Sequence, residues 1–278
     1  MFYWDLEGGA LSKMIDFHNH ILPDIDDGSK SMVMSIEMLE NALSQGITDV
    51  VNTVHFQHPK VENLDISFQR IKKEIDILQK ELDNRNIPIK IHIGSEVFYL
   101  PNLLKIKDDP LSTIGNGNYM LIEFHPHHIP ESHRQQLFDL KIEGVTPIIA
   151  HPERYKEVQE DIHLVSRWIE SGCLIQVDAG SPLGLLGEKA KLASEKILIN
   201  NWCQVIGSDA HDNKNRNFCL KKCINHIEKY VDYNTKALVY DNPKHILNGT
   251  PIKVDIDLED ISIKSTFFSR MKNLMGLS

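Results

Sequence analysis

The sequence predicts an α/β fold built as one barrel of seven parallel strands joined by helices. Three observations predict it. Seven short apolar runs alternate with stretches of helical periodicity. The runs are apolar throughout rather than at every second position, as in strands covered on both faces. Each run closes on an imidazole or a carboxylate. A chain of 278 residues is also the usual size of a single α/β barrel.

The first run is MIDFH, Met14 to His18. In SMVMSIEMLENALSQG, Val33, Ile36, Leu39 and Leu43 recur at helical spacing and Gly46 supplies a stop. ITDVVNTVH follows as a β-branched strand. A long helix then carries Leu64, Phe68, Ile71, Ile75, Leu78 and Leu82 at gaps of four and three, a stripe that buries one face. The remaining strands are IPIKIHIG, YMLIEFH, VTPIIAH, CLIQVDAG and CQVIGSDAH, with helical segments near 131–143, 156–171, 184–198 and 214–230. Helical connections between consecutive strands imply a parallel sheet with right-handed crossovers. The expected organisation is an N-terminal extension over 1–13, a barrel over 14–249 and a C-terminal tail over 250–278. In that tail Phe267, Phe268, Met271, Leu274 and Met275 lie among Arg270 and Lys272 as in an amphipathic helix.

The strand ends carry the chemistry. In order they bear His18 and His20, His55, Glu96, Glu123 with His125, His151, Asp178, and Asp209 with His211. Residues from seven strand ends converge on one point only if the strands close into a ring with their C-terminal ends together. An open sheet would string them along a crevice. One histidine at a strand end is ordinarily a satisfied polar residue; repetition on strand after strand points to metal. The donors are imidazole and carboxylate, which suits manganese, iron or zinc and not a closed structural zinc site. His18, His20, Asp27, His55, Glu96, Glu123, His151, Asp209 and His211 are too many for one ion and match two or three with a bridging carboxylate. Asp26 stands beside Asp27 and competes for its place.

Two arginines narrow the reaction. Arg154 lies three residues beyond His151 in AHPERY, and Arg216 five beyond His211 in SDAHDNKNR. Guanidinium groups leaving the metal face suit a phosphate dianion; the bland alternative is salt bridging to Glu153, Asp212 or Asp161. The cysteines Cys173, Cys203, Cys219 and Cys223 lack paired zinc-ribbon spacing and a following phosphatase-loop arginine, so they read as packing residues. A formal net charge of −9 weighs against a nucleic-acid binder with a broad basic face. The chain shows no signal-like or membrane-spanning apolar run, so the expected location is the cytoplasm, in reducing surroundings.

The motifs DFHNHILPDIDDG, TVH, GSE, LIEF, IAHPERY, and GSDAH followed by Arg216 resemble the PHP (polymerase and histidinol phosphatase) metallohydrolases. They are most similar to the branch of bacterial protein-tyrosine phosphatases associated with capsule and exopolysaccharide synthesis. The resemblance spans about Ile15 to Tyr230. It implies a distorted (β/α)7 barrel with a trinuclear, usually manganese, centre. His18, His20, Glu96 and Asp209 would hold one ion; Glu96 would bridge to a second held by Glu123 and His151; Asp27, His55 and His211 would hold the third. Arg154 and Arg216 match the phosphate-binding positions. The implied substrate is phosphotyrosine on the tail of a partner tyrosine kinase, which would keep the protein at the inner membrane face, with a metal-activated hydroxide attacking phosphorus. The expected oligomeric state is open. EFHPHHIPESHR is richer in histidine than the pattern, so His125, His127, His128 and His133 are read as a leaving-group acid, a rim or a solvated loop. The rival readings are a histidinol-phosphate phosphatase, a nucleic-acid exonuclease, an amidohydrolase, which would lack the paired arginines, and a non-enzymatic metal-storing module.

Overall fold

The computed structural model describes residues 13–254. The expected amphipathic helix at 267–275, and all but residue 13 of the expected N-terminal extension, lie outside the described residues. Seven strands, β1 (Met14–Asn19), β2 (Ile47–Phe56), β3 (Lys90–Phe98), β4 (Tyr119–Glu123), β5 (Thr146–Ala150), β6 (Leu174–Asp178) and β7 (Val205–Gly207), run in parallel, each beside its chain neighbour. The ring closes at the C-terminal end of the seam: Asn19 pairs with Ala210, the Asp209 N–H donates to His18 O at 2.7 Å, and the His20 N–H donates to Ala210 O at 2.8 Å. Gly207 permits this approach, since a Cβ there would stand 2.5 Å from His18 Cβ.

Alternation then sorts each strand into an inner and an outer set. Val51, Tyr119, Leu121, Ile148, Leu174 and Val205 form an inner apolar cluster. Two or four residues further along the same faces come His55, Glu123, Asp178 and Asp209. The outer set packs beneath the helices in the larger core, with Val50, Val54, Met120, Ile122 and Ile206 among its members. In β1 the phase changes. Asp16 faces Val50 and Asn19 faces Asn52, so β1 advances three residues while β2 advances two. This bulge carries the interior from Ile15 and Phe17, in the inner cluster, to His18 and His20 at the site.

The helices on the outside are α1 (Met32–Ser44), α2 (Phe68–Asn84), α3 (Leu103–Ile106), α4 (His133–Ile142), α5 (Lys156–Glu160), α6 (His163–Glu170), α7 (Glu188–Ile199), α8 (Leu220–Ile227) and α9 (Asn242–Leu247). Several bounds differ from the periodicity reading. Helix α1 starts on Ser31, whose hydroxyl accepts from Met34 N at 3.2 Å, and it buries Ile36, Met38, Leu39 and Ala42 while Val33 is 64% exposed. Helix α2 begins at Phe68, leaving Leu64 in the preceding loop and 46% exposed. The segment read as one helix over 156–171 breaks at Asp161, whose carboxylate accepts from the His163 N–H at the start of α6. The segment read as helix from 214 is a loop to Cys219, because Asp212 Oδ1 accepts the N–H groups of Lys214, Asn215 and Arg216.

Between 230 and 249 the sequence shows no helical or strand period. There a π-helical turn, Ala237–Asp241, runs into α9, which sets Ile246 into the inner apolar cluster at the N-terminal end of the barrel. Tyr119 OH donates to Thr250 O at 2.6 Å and Asn118 Nδ2 to Gly249 O at 2.8 Å, tying the chain across that end. None of the helices among the described residues is long and apolar enough to cross a membrane.

Candidate metal centre

All nine expected donors meet at the C-terminal ends of the strands. His18 Nε2 and His20 Nε2 each lie 3.4 Å from Asp209 Oδ1, and 3.4 and 3.5 Å from Glu96 Oε2. His151 Nε2 is 2.7 Å from Glu96 Oε1 and 3.8 Å from Glu123 Oε1. His55 Nε2 is 3.1 Å and His211 Nε2 3.3 Å from Asp27 Oδ1, while His55 Nδ1 reaches Glu96 Oε2 at 3.2 Å. Their donor atoms fall into overlapping groups within 4.8 Å: His20, Asp27, His55 and His211; His18, His20 and Asp209; His18, Glu96 and His151; and His55, His58 and Glu123.

The remaining polar atoms of these side chains are tied down in a way that aims the free ones inward. His18 Nδ1 is 2.9 Å from Gln176 Oε1, and the amide of Gln176 in turn donates to Val177 O. His211 Nδ1 donates to Asp209 O at 2.8 Å. His20 Nδ1 is 2.8 Å from Asp26 Oδ2, which also accepts from His55 N, while Asp26 Oδ1 accepts from Gly28 N. Such carboxylate–imidazole pairs fix ring orientation and tautomer. In this geometry Asp26 pairs with His20, and Asp27 Oδ1 faces His55 and His211. Gly28 makes the turn possible, since a Cβ there would sit 2.1 Å from His20 O.

A divalent ion fits this donor set. Asp27 Oδ1, Glu123 Oε2, Asp209 Oδ1 and both His55 nitrogens are buried without hydrogen-bond partners, so close pairs such as His55 Nε2 and Asp27 Oδ1 face one another without being aligned as hydrogen bonds. Buried lone pairs left in this state are costly unless a cation takes them up. Oxygen and imidazole donors together suit manganese, iron and zinc alike.

The electrostatics agree. Against the desolvation of full burial, the charges of His18 and His211 hold Asp209 well below the usual carboxylate range. Glu96 is likewise held well below it, against burial, by His18 and by hydrogen bonding to His151. Burial and then the neighbouring Glu96 charge push Glu123 up to about 7. His55 rises to about 9, its desolvation outweighed by Asp27 and Glu96. His151 falls to about 4 through burial and the nearby Arg154. Opposed shifts of this kind mark closely interacting charges of the sort that gather at functional sites. The backbone is strained at two of the donors, His151 with φ 31° and Asp209 with φ 44°.

Arg154 and Arg216 meet at one atom. Arg154 Nη1 donates to Asp209 Oδ2 at 2.6 Å and Arg216 Nη2 to the same oxygen at 2.5 Å. Asp209 thus turns Oδ1 to the histidine pair and Oδ2 to the two guanidinium groups. The bland salt-bridge partners are engaged elsewhere: Asp161 with Arg167, Asp212 with the backbone of its own loop, and Glu153 with Ser181 Oγ and Asp178 N. Asp178, at the end of β6, stands 3.7 Å from Arg154 and is raised to about 7 by burial and the Asp209 charge.

Some participants escape a reading of strand ends. His58, 3.7 Å from Glu123 and stacked on His55 at a ring separation of 4.4 Å, follows β2 because Gln57 adopts a left-handed φ of 58° and turns the chain back over the site. Burial and the charge of His55 lower it to about 4. Its only signal in the sequence was its place two residues beyond Phe56. Lys60 pairs with the outer oxygen of Asp27. Gln176, two residues before Asp178 on the same face of β6, is not singled out by the sequence pattern. In the histidine-rich loop, His125, His127 and His128 form an exposed turn. His133 is buried instead, with Nδ1 2.7 Å from Pro130 O and its ring against Phe124 and Trp168, so it packs rather than reacts. All four cysteines are buried free thiols.

The comparisons with known proteins agree with this geometry. Residues 14–248 match the family model described as capsular polysaccharide synthesis, CpsB/CapC. Staphylococcus aureus CapC is 33% identical over 255 residues, covering 91% of this chain and 99% of that protein. The tyrosine-protein phosphatase YwqE of Bacillus subtilis is 32% identical, covering 86% and 93%. A solved structure from the pair YwqE and Streptococcus pneumoniae CpsB, metal-dependent tyrosine phosphatases, superposes with a TM-score of 0.81 at 31% identity, covering 86% of this chain and 96% of the other. A histidinol phosphate phosphatase from Lactococcus lactis, at 16% identity and a TM-score of 0.53, shares the fold alone.

Proposed function

The chain belongs to the CpsB/CapC family of capsular polysaccharide synthesis, and from that premise we propose that it is a metal-dependent protein-tyrosine phosphatase. Its proposed substrate is a phosphotyrosine protein, the tail of a bacterial tyrosine kinase that drives capsule or exopolysaccharide synthesis, met in the cytoplasm at the membrane face. The observation that carries the reading is the convergence of Arg154 and Arg216 on Asp209 Oδ2, with the other oxygen of that carboxylate aimed at His18 and His20. This arrangement supports a phosphate gripped by two guanidinium groups directly beside a metal cluster, which an amidohydrolase has no use for.

In this reading His18, His20, Glu96 and Asp209 hold one ion, Glu96, Glu123 and His151 a second, and Asp27, His55 and His211 a third, with manganese as the proposed metal. His58 is a further donor at the edge of Glu123. When bound, such ions acidify water and offset the charge that builds on phosphoryl oxygens. The side chains do the rest. Arg154 and Arg216 bind the dianion and orient it in line; Asp209 keeps both guanidinium groups parked at that position; Gln176 and Asp26 hold the His18 and His20 rings so that the Nε2 atoms face inward. No cysteine takes part: burial raises the Cys173 thiol to about 12, and Cys203, Cys219 and Cys223 are raised as well.

The test is the initial rate of manganese-loaded protein on a phosphotyrosine peptide beside a phosphoserine peptide and histidinol phosphate. The reading predicts a preference for phosphotyrosine that falls by about 10²-fold or more in Arg154→Ala. A preference for histidinol phosphate would discard the substrate and leave the centre standing.

A further inference from the structure

The loop that follows β6, from Ala179 to Gly187, carries no charged side chain, although it opens on the same face as the metal centre. Its turn is well held: Ser181 N donates to Asp178 O at 3.0 Å, Gly184 N to Ser181 O at 2.9 Å and Leu185 N to Gly180 O at 3.0 Å. Gly184, with φ 77°, makes the reversal. The turn presents Leu185 with 63% of its surface open to solvent.

Its position relative to the arginines is fixed through Gly180. A Cβ built on Gly180 would lie 3.2 Å from Asp178 Oδ1 on one side, and 3.5 and 3.6 Å from Leu185 Cβ and Cδ1 on the other. Asp178 Oδ2 is in turn 3.7 Å from Arg154 Nη1. Leu185 therefore stands one residue's width from the carboxylate that flanks the phosphate grip.

We infer that Leu185, with the bare backbone at Gly180, is the apolar wall that receives the aromatic ring of the leaving group. This rests on the phosphatase reading above and deepens it. A planar ring on a phosphate held at Arg154 and Arg216 needs an uncharged surface within one ring's length. Leu185 supplies that surface without a hydrogen-bonding group, whereas a cationic amino-alcohol phosphate would gain nothing from it. Because the side chain is mostly exposed, its removal leaves the fold intact, which makes the inference easy to test.

The experiment measures kcat and KM on phenyl phosphate and a phosphotyrosine peptide for the manganese-loaded wild type, Leu185→Ala, Leu185→Met and Val33→Ala, with inorganic phosphate as a competitive inhibitor. Leu185→Ala should raise KM for both aryl substrates by about tenfold, with kcat within about twofold and the phosphate Ki unchanged. Leu185→Met should restore most of the loss, and Val33→Ala, an equally exposed aliphatic at the start of α1, should change nothing. An unmoved KM in Leu185→Ala overturns the inference alone. A rise of KM and phosphate Ki together also overturns it, since that places the effect on the arginines. Failure of the wild type to hydrolyse either aryl phosphate overturns the phosphatase reading as well.

Discussion

The two ends of the barrel are built from the same strands and obey opposite rules. At the N-terminal end, Tyr119, Ile148, Leu174 and Val205 close on Ile246, and the tyrosine hydroxyl is satisfied by Thr250 O. At the C-terminal end the strand ends and the loops after them bring together four carboxylates and six imidazoles, several with atoms left without partners, on a backbone strained at His151 and Asp209. The first end contributes stability through burial and needs nothing from outside. The second places costly groups together and depends on cations to offset them. A barrel can carry such a site because its apolar interior lies only two to four residues back from His55, Glu123, Asp178 and Asp209.

The contrast predicts which changes remove activity and which remove the fold. The largest effect should come from Asp209→Asn, which disturbs both the histidine pair and the two arginines: kcat/KM falls by about 10³-fold or more, bound metal measured by mass spectrometry drops, and the circular dichroism spectrum stays that of the wild type. Retained metal and rate would place the centre elsewhere. Next, chelation should abolish activity reversibly and lower Tm, because a ligand at a thousand times its Kd stabilises the folded state by about 4 kcal/mol; an unchanged Tm would show that the charged end is not cation-dependent.

Ile246→Ala should reverse the pattern. It leaves a cavity in the inner cluster and costs about 2–5 kcal/mol, read by denaturant unfolding, while kcat/KM per folded molecule stays within about twofold. A selective loss of activity would mean that the two ends are coupled. Single Cys→Ser variants should each retain catalysis, since buried thiols far above neutral pKa take no part; a loss matching that of His151→Ala would sink the mechanism.

The smallest effect lies in the Asp49–His92 pair between β2 and β3, at 2.8 Å. The hydrogen bond from His92 lowers the Asp49 carboxyl below its usual range. Its contribution is therefore present above the ordinary carboxylate pKa of about 3.9 and lost as pH falls through the lowered value. Asp49→Asn should cost at most about 1 kcal/mol near neutral pH, and the gap between variant and wild type should close in acid. A gap that widened in acid would reverse the assigned sign.

The parts of this site that were legible in the sequence are those where a ligand ends an apolar run: His55, Glu96, Glu123, His151 and Asp209 each lie within two residues of a strand's end, and a ring is the arrangement that brings such ends together. His18 and His20 were legible as a pair, but the bulge that swings them inward was not, because an inserted residue leaves the local pattern unchanged. His58 was hidden by a left-handed Gln57, a backbone choice with no residue signature. Asp26 and Asp27 are chemically alike, and only the path of the turn through Gly28 separates the orienting carboxylate from the one facing the centre. Helix α9 has no signature in the sequence because its six residues are too few to show a helical period.

The most direct measurement is an anomalous difference map at the manganese edge from crystals grown with manganese and phosphate. The account predicts peaks within bonding distance of the His18–His20–Asp209, Glu96–His151 and Asp27–His55–His211 groups, with phosphate between Arg154 and Arg216. Peaks confined to the exposed His125–His128 turn, or phosphate bound away from the two arginines, would contradict it.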